Sequence, residues 1–167
     1  MKIVKKQPVS NHCFVCGINN PNSLKLQFYE TEDGEVISSF IINENFQSYA
    51  NRIHGGVITA IMDEAIGRSI KVIEECTFGV TVEIKVSFSK PVPANHNLLV
   101  IARITNNTRL IFEGTAEILN GDIVLASAYG KYMKAPLEDI TGIDKPQDEW
   151  IKTELSSEEI RSFDDER

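Results

Sequence analysis

Cysteine is scarce in this chain, and its three residues, Cys13, Cys16 and Cys76, are an odd number. A disulfide framework is therefore not what holds the fold together. No apolar run approaches membrane-spanning length. The opening stretch MKIVKKQPVSNHC is basic but lacks the apolar segment of a secretory signal, so a cytoplasmic protein with no membrane segment is expected. An excess of basic charge is also missing: the net charge is −7. From Ala135 onward there are 11 acidic and 4 basic residues, while the first 134 residues hold 13 of each. A neutral body with an acidic tail offers no electrostatic footprint for nucleic acid. Internal repeats and Gly-rich phosphate loops are absent as well.

Cys13 and Cys16 form a CxxC pair in HCFVCG, beside His12. A tetrahedral zinc site needs four ligands; His12, Cys13 and Cys16 could supply three with a fourth from elsewhere, but neither a second CxxC nor a spaced His pair follows. No βαβ pattern surrounds the pair, which argues against a redox motif. The pair reads as reduced thiols packed near the first strand, and neither metal nor cofactor is expected.

What the chain does have is an ordinary globular composition, with 42% hydrophobic residues over 167 positions, enough for one domain with a real core. Leu24 to Glu30 alternates like a strand, the stretch from Glu32 to Glu35 signals a hairpin turn, and Val36 to Ile42 returns. Asn43 to Ile53 is a polar loop. A helix then runs from the HGG of His54, Gly55 and Gly56 to about Glu75. Four strand patterns follow: Val80 to Phe88, closed by Pro91 and Pro93, then Leu98 to Thr105, Leu110 to Leu119 and Ile123 to Met133. Turns are expected at Asn106-Asn107 and Asn120-Gly121-Asp122. One long helix among six strands implies an α+β domain in which a single curved antiparallel sheet covers the helix. Beyond Pro136 the pattern breaks up. Ser156 to Glu159 resembles a helix start, and Trp150, the only Trp, is a candidate to pin the tail to the body.

The helix NRIHGGVITAIMDEAIGR poses the functional question. It is apolar nearly all round, from Val57 and Ile58 to Ile70, Val72 and Ile73, which marks a buried helix. Carboxylates on such a helix are costly unless paired or used. Glu64 stands four residues before Arg68, the favourable spacing for an ion pair, so Glu64 reads as structural and Asp63 as the carboxylate with a chemical role. Free N–H groups at a helix start can hold a developing oxyanion, and Gly55 and Gly56 let a ligand approach the backbone closely.

The stretch HGGVITAIMDEAIG, followed by TVEIKVSFSKPVP, resembles the PaaI-like acyl-CoA thioesterases of the hotdog fold, over about Leu24 to Lys134. HCFVCGINNPNSLKLQF is similar to a leader of some members. The resemblance implies a hotdog domain over residues 24–134, between an N-terminal leader segment (1–23) and an acidic C-terminal tail (135–167). It implies that the Gly55 and Gly56 amides hold the thioester oxygen, with His54 orienting them. Asp63 is implied as base or nucleophile, supplied by the opposite subunit of a homodimer or homotetramer, and Thr81 as the residue that positions water or the carboxylate. Many members carry Asn or Gln in the loop before HGG; Ser48 aligns there, with Gln47 or Asn51 as substitutes. Lys90, Arg103 and Arg109 are candidate contacts for the phosphates of an acyl-CoA substrate. A non-catalytic hotdog domain that binds acyl-CoA as sensor or scaffold is the alternative, and a hotdog hydratase ranks last.

Overall fold

The structure, a computed structural model, describes residues 1–143, 146–157 and 159. Eleven strands are found among them: β1 (Ile3–Lys6), β2 (Val9–Ser10), β3 (Tyr29–Thr31), β4 (Val36–Phe40), β5 (Gln47–Tyr49), β6 (Arg52–Ile53), β7 (Phe78–Phe88), β8 (Leu98–Asn107), β9 (Ile111–Asn120), β10 (Ile123–Ala135) and β11 (Trp150–Ile151). The helices are α1 (Gly55–Ser69), continued by a 3-10 turn over Ile70–Val72, and the short α2 (Leu137–Thr141). No helix among the described residues is long and apolar enough to cross a membrane.

Seven strands form one sheet in the order β1-β3-β4-β8-β9-β10-β7, antiparallel throughout. The sheet curves around α1, as expected for a hotdog fold. Strand alternation supplies the inner face: Val100 and Ala102 of β8, Phe112, Ala116 and Ile118 of β9 and Ala126 of β10 are all buried. Helix periodicity supplies the other half, with Ile58, Ile61, Met62, Ala65 and Ile66 buried against them. Ile61 and Ile66 are fully buried, and truncating either to Ala should cost about 2–5 kcal/mol.

The structure departs from the sequence reading at three places. The helix is not buried all round. One sheet covers one face, so Val57, Ala60, Asp63, Glu64 and Gly67 remain half-buried and Ile73 is 58% exposed. The expected strand from Leu24 shrinks to Tyr29–Thr31, because Lys25 adopts a φ of 60°. From there its ammonium binds the carbonyls of Gly17, Ile18 and Asn20 at 2.7–2.9 Å. The turn expected at Asn106-Asn107 lies after it, at 108–110, closed by the Thr108 N–H on the Ile111 carbonyl at 2.9 Å.

Among the described residues, both flanking segments pack on the central domain. β1 belongs to the main sheet, and Val15 and Cys16 lie in the core. In the tail β11 pairs with β2, and Trp150 packs on Phe78 with ring centroids 5.5 Å apart. The Ser156 hydroxyl receives the Glu159 N–H at 3.2 Å while the Glu159 carboxylate receives the Ser156 N–H at 2.9 Å, the reciprocal capping pattern of a helix start. Glu158, which belongs to that same start, lies outside the described residues.

Candidate active site

The start of α1 is built by His54. Its backbone is extended (φ −63°, ψ 135°) and its Nδ1 accepts the Gly56 N–H at 2.9 Å. Nδ1 therefore carries the lone pair and the ring proton sits on Nε2. The Val57 and Ile58 N–H groups both reach the His54 carbonyl, at 3.0 and 3.2 Å. Gly55 is left as the amide of this turn without a hydrogen-bond partner among the described residues. The first turn contains no acidic side chain, so its positive end is not neutralised from within. Neither glycine has a positive φ; of the two, Gly56 is the one that needs its space. A Cβ at Gly56 would stand 3.0 Å from His54 Nδ1, and one at Gly55 3.4 Å from the Phe88 ring.

Two turns further on, Asp63 is held by the sheet. Its Oδ1 accepts the Thr81 hydroxyl at 3.0 Å and the Tyr132 hydroxyl at 2.9 Å. Oδ2 has no partner among the described residues and is free to meet a water or a substrate. Tyr132 was not foreseen from the sequence. It lies on β10, fully buried, and stacks on Phe112 at 4.9 Å between centroids. A register shift between Lys131 and Tyr132 sets Tyr132 opposite Thr81 of β7, and this bulge aims both hydroxyls at one carboxylate oxygen. The ring needs room: a Cβ at Gly130 would sit 2.8 Å from its hydroxyl. Burial first, and then the Asp63 carboxylate, push the Tyr132 phenol well above its ordinary value. It therefore remains a proton donor toward Asp63 across neutral pH.

Glu64 points elsewhere. Its Oε1 takes the Arg68 Nε–H at 2.7 Å, and Arg68 is buried between that carboxylate, the Pro8 carbonyl and the ring of Phe28. The two adjacent carboxylates thus part company, Asp63 toward β7 and β10 and Glu64 toward the N-terminal segment. Successive helix residues differ by about 100°, which is what allows it.

The remaining candidates are not gathered at one place. Ser48 is exposed on β5, and Asn51 (φ 60°) gives its N–H to Gln47 at 3.2 Å. Both lie on the small hairpin leading into His54. Lys90 is exposed just beyond β7, whose end adjoins the helix start through Phe88 and Gly55. Arg103 is paired with Glu35 at 3.0 Å. Arg109 lines a cleft of about 350 Å³ with Glu74, Cys76, Thr77, Lys134 and Pro136, at the far end of α1. A single chain therefore brings Thr81 to Asp63 and His54 to Gly56, but not Arg109 to either. Along one helix, Gly55 and Asp63 are eight residues and so about 12 Å apart, too far to act on one carbonyl.

Comparison with known proteins fits this architecture. Residues 50–127 match the thioesterase superfamily. A sequence relative described as "Putative esterase SSO1253", from Saccharolobus solfataricus, is 24% identical over 112 residues, 67% of this chain and 75% of that protein. Among solved structures, RHA08564, a thioesterase superfamily protein, superposes with a TM-score of 0.69 at 20% identity, covering 74% of this chain. This chain spans 64% of that protein's length. The Escherichia coli PaaI protein of the phenylacetic acid degradation operon gives a TM-score of 0.61 at 17% identity, over 67% of this chain and 80% of its own. These structural likenesses show the hotdog fold.

Proposed function

We propose that this chain, which matches the thioesterase superfamily over residues 50–127 and has the hotdog fold, hydrolyses acyl-CoA thioesters at a site shared between two copies. The observation that carries the reading is the state of Asp63. One of its oxygens is held by two hydroxyl donors while the other is free, as a positioned base or nucleophile requires. Either Oδ2 takes a proton from a water as that water attacks the thioester carbonyl, or it attacks the carbonyl itself. In both cases the carbonyl oxygen gains charge, the Gly55 N–H stabilises it, and the CoA thiolate leaves and takes up a proton; after direct attack, a water then cleaves the acyl–Asp63 anhydride to free the acid and the carboxylate.

Sharing follows from distance. A chain's own Gly55 amide is about 12 Å along the helix from its own Asp63, so a second copy, in a homodimer or within a homotetramer, must bring its Asp63 to the first one's helix start. The half-buried row of Val57, Ala60, Asp63 and Gly67 on α1 supports such a face. Its neighbour β7 is an edge strand on which Val80, Val82 and Phe88 are 40–59% exposed.

The test is release of free thiol from a panel of acyl-CoAs of graded chain length and aromatic content. Asp63→Asn should keep substrate binding and lower kcat on the order of 100-fold or more. A panel with no turnover but measurable acyl-CoA binding would replace the hydrolase with the sensor or scaffold. Thr81 should lower kcat rather than raise KM when changed to Val.

A further inference from the structure

Cys13 and Cys16 do not pack against apolar neighbours alone. The turn that carries them lies on the Glu64 side of α1, where Cys13 Sγ is 3.7 Å from Glu64 Oε2 and Cys16 Sγ 3.5 Å from Glu64 Oε1. The three ligand atoms all fall within 4.8 Å of one another. We propose that Cys13, Cys16 and Glu64 bind a zinc ion, with water as fourth ligand, and that this ion fastens the N-terminal segment to the central helix.

The spacing suits that ion. With Zn–S of about 2.3 Å and Zn–O of about 2.0 Å, a tetrahedral site has S···O edges of about 3.5 Å. Cys13 Sγ lies 3.7 Å from Oε2 and Cys16 Sγ 3.5 Å from Oε1, one sulfur on each oxygen, so a small turn of the carboxylate brings a single oxygen to both. Two sulfurs with one carboxylate select a thiophilic cation over magnesium or calcium, which take oxygen sets.

The surroundings suit bound thiolates. Val15 N–H donates to Cys13 Sγ at 3.3 Å, Ser10 N–H to Cys16 Sγ at 3.5 Å and Arg68 Nη2 to Cys16 Sγ at 2.9 Å. Donors converging on ligand atoms are the outer shell that orients metal ligands and holds their charge. The turn itself depends on Gly17, whose N–H closes onto the Cys13 carbonyl at 2.9 Å. A Cβ at Gly17 would lie 2.3 Å from that carbonyl oxygen, so only glycine lets both sulfurs face the helix.

Charge closes as well. Two thiolates and the Glu64 carboxylate are balanced by a divalent ion together with Arg68, which is 3% exposed and needs anionic partners where it lies. Cys16 is buried, while Cys13 and Glu64 are half-buried, so the ion can arrive from the solvent side. Sequence spacing alone offered His12 beside the pair; the residue that the fold brings to both sulfurs is Glu64, 48 residues from Cys16. Nothing in this site depends on the hydrolytic reading of Asp63.

The experiment is metal analysis of the full chain purified under reducing conditions, followed by removal with chelator and titration with cobalt(II) as spectroscopic probe. About one zinc per chain is expected, and the cobalt form should show thiolate-to-metal charge transfer with the strong visible bands of a four-coordinate site. Glu64→Gln, which keeps shape, should weaken cobalt binding at least tenfold, roughly the loss that even outer-shell changes produce. Cys13→Ser should abolish the charge-transfer band, and zinc should raise the melting temperature of wild type only. The titration of wild type decides the matter even if a variant misfolds. Less than about a tenth of an equivalent of metal with no cobalt spectrum overturns the site. A Cys13–Cys16 disulfide in protein prepared without air, or unchanged affinity in a folded Glu64→Gln, overturns it too.

Discussion

Tyr132 stands directly across from Thr81 in the β10–β7 ladder, and their two hydroxyls end on the same oxygen of Asp63, at 2.9 and 3.0 Å. One carboxylate oxygen is thereby fixed and the other left for chemistry. Tyr132 is a positioning residue in this arrangement, acting through Asp63.

Tyr132→Phe keeps the stacked ring and deletes one hydrogen bond to a charged acceptor, worth about 1.5–3 kcal/mol. Turnover should fall roughly 10- to 100-fold with KM little changed. Steady-state kinetics with both enzymes check this. A rise in KM with kcat unmoved would mean that Tyr132 only packs.

Site sharing predicts complementation. Gly55→Pro removes the free amide at the first helical position, where proline is tolerated, and His54 already has the extended backbone that precedes proline. This variant should lose about 10²–10³ in kcat. Refolding it together with an equal amount of Asp63→Asn should restore about a quarter of wild-type activity, since each mixed dimer holds one intact site. No recovery, or an active monomer by sedimentation, would refute the shared site.

Lys71 is buried with its Nζ 3.6 Å from the centre of the Phe78 ring. Burial, reinforced by Arg68, pushes its ammonium down to about 8, against about 10.4 when unfolded. Between these values the unfolded chain binds more protons, so this residue's contribution to stability rises with pH from about 8 to 10.4, and its penalty is full below that range. Urea midpoints should show Lys71→Met stabilising more at pH 7 than at pH 10.5. An equal difference at both pH values would deny the burial penalty.

The tail should matter for stability rather than for chemistry. Trp150 packs on Phe78 and lies 5.3 Å over the Arg68 guanidinium, and β11 covers β2. Truncation after Pro136 should lower the melting temperature by several degrees, as loss of a buried aromatic contact of about 1–3 kcal/mol does, and leave kcat within several-fold below it. A large loss of kcat in the folded truncation would place the tail in the active site.

The sequence by itself determined the elements that rest on local periodicity. The helix after HGG, the alternating strand at Val80 to Phe88 and the hairpin turn before Val36 all stand where the pattern puts them. So does the ion pair of Glu64, which meets Arg68 one helical turn on, as i,i+4 spacing dictates. Tertiary structure decided what depends on pairing register and long-range closure. A one-residue bulge at Val82 of β7 set Tyr132 opposite Thr81 and so beside Asp63, and strand alternation cannot foretell a bulge. The seven-stranded sheet covers only one side of an apolar helix, because a sheet has one inner face to give. Cys13 and Cys16 lie too far along the chain from Glu64 for any spacing rule to join them. Only the turn at Gly17 and the burial of Arg68 bring them together.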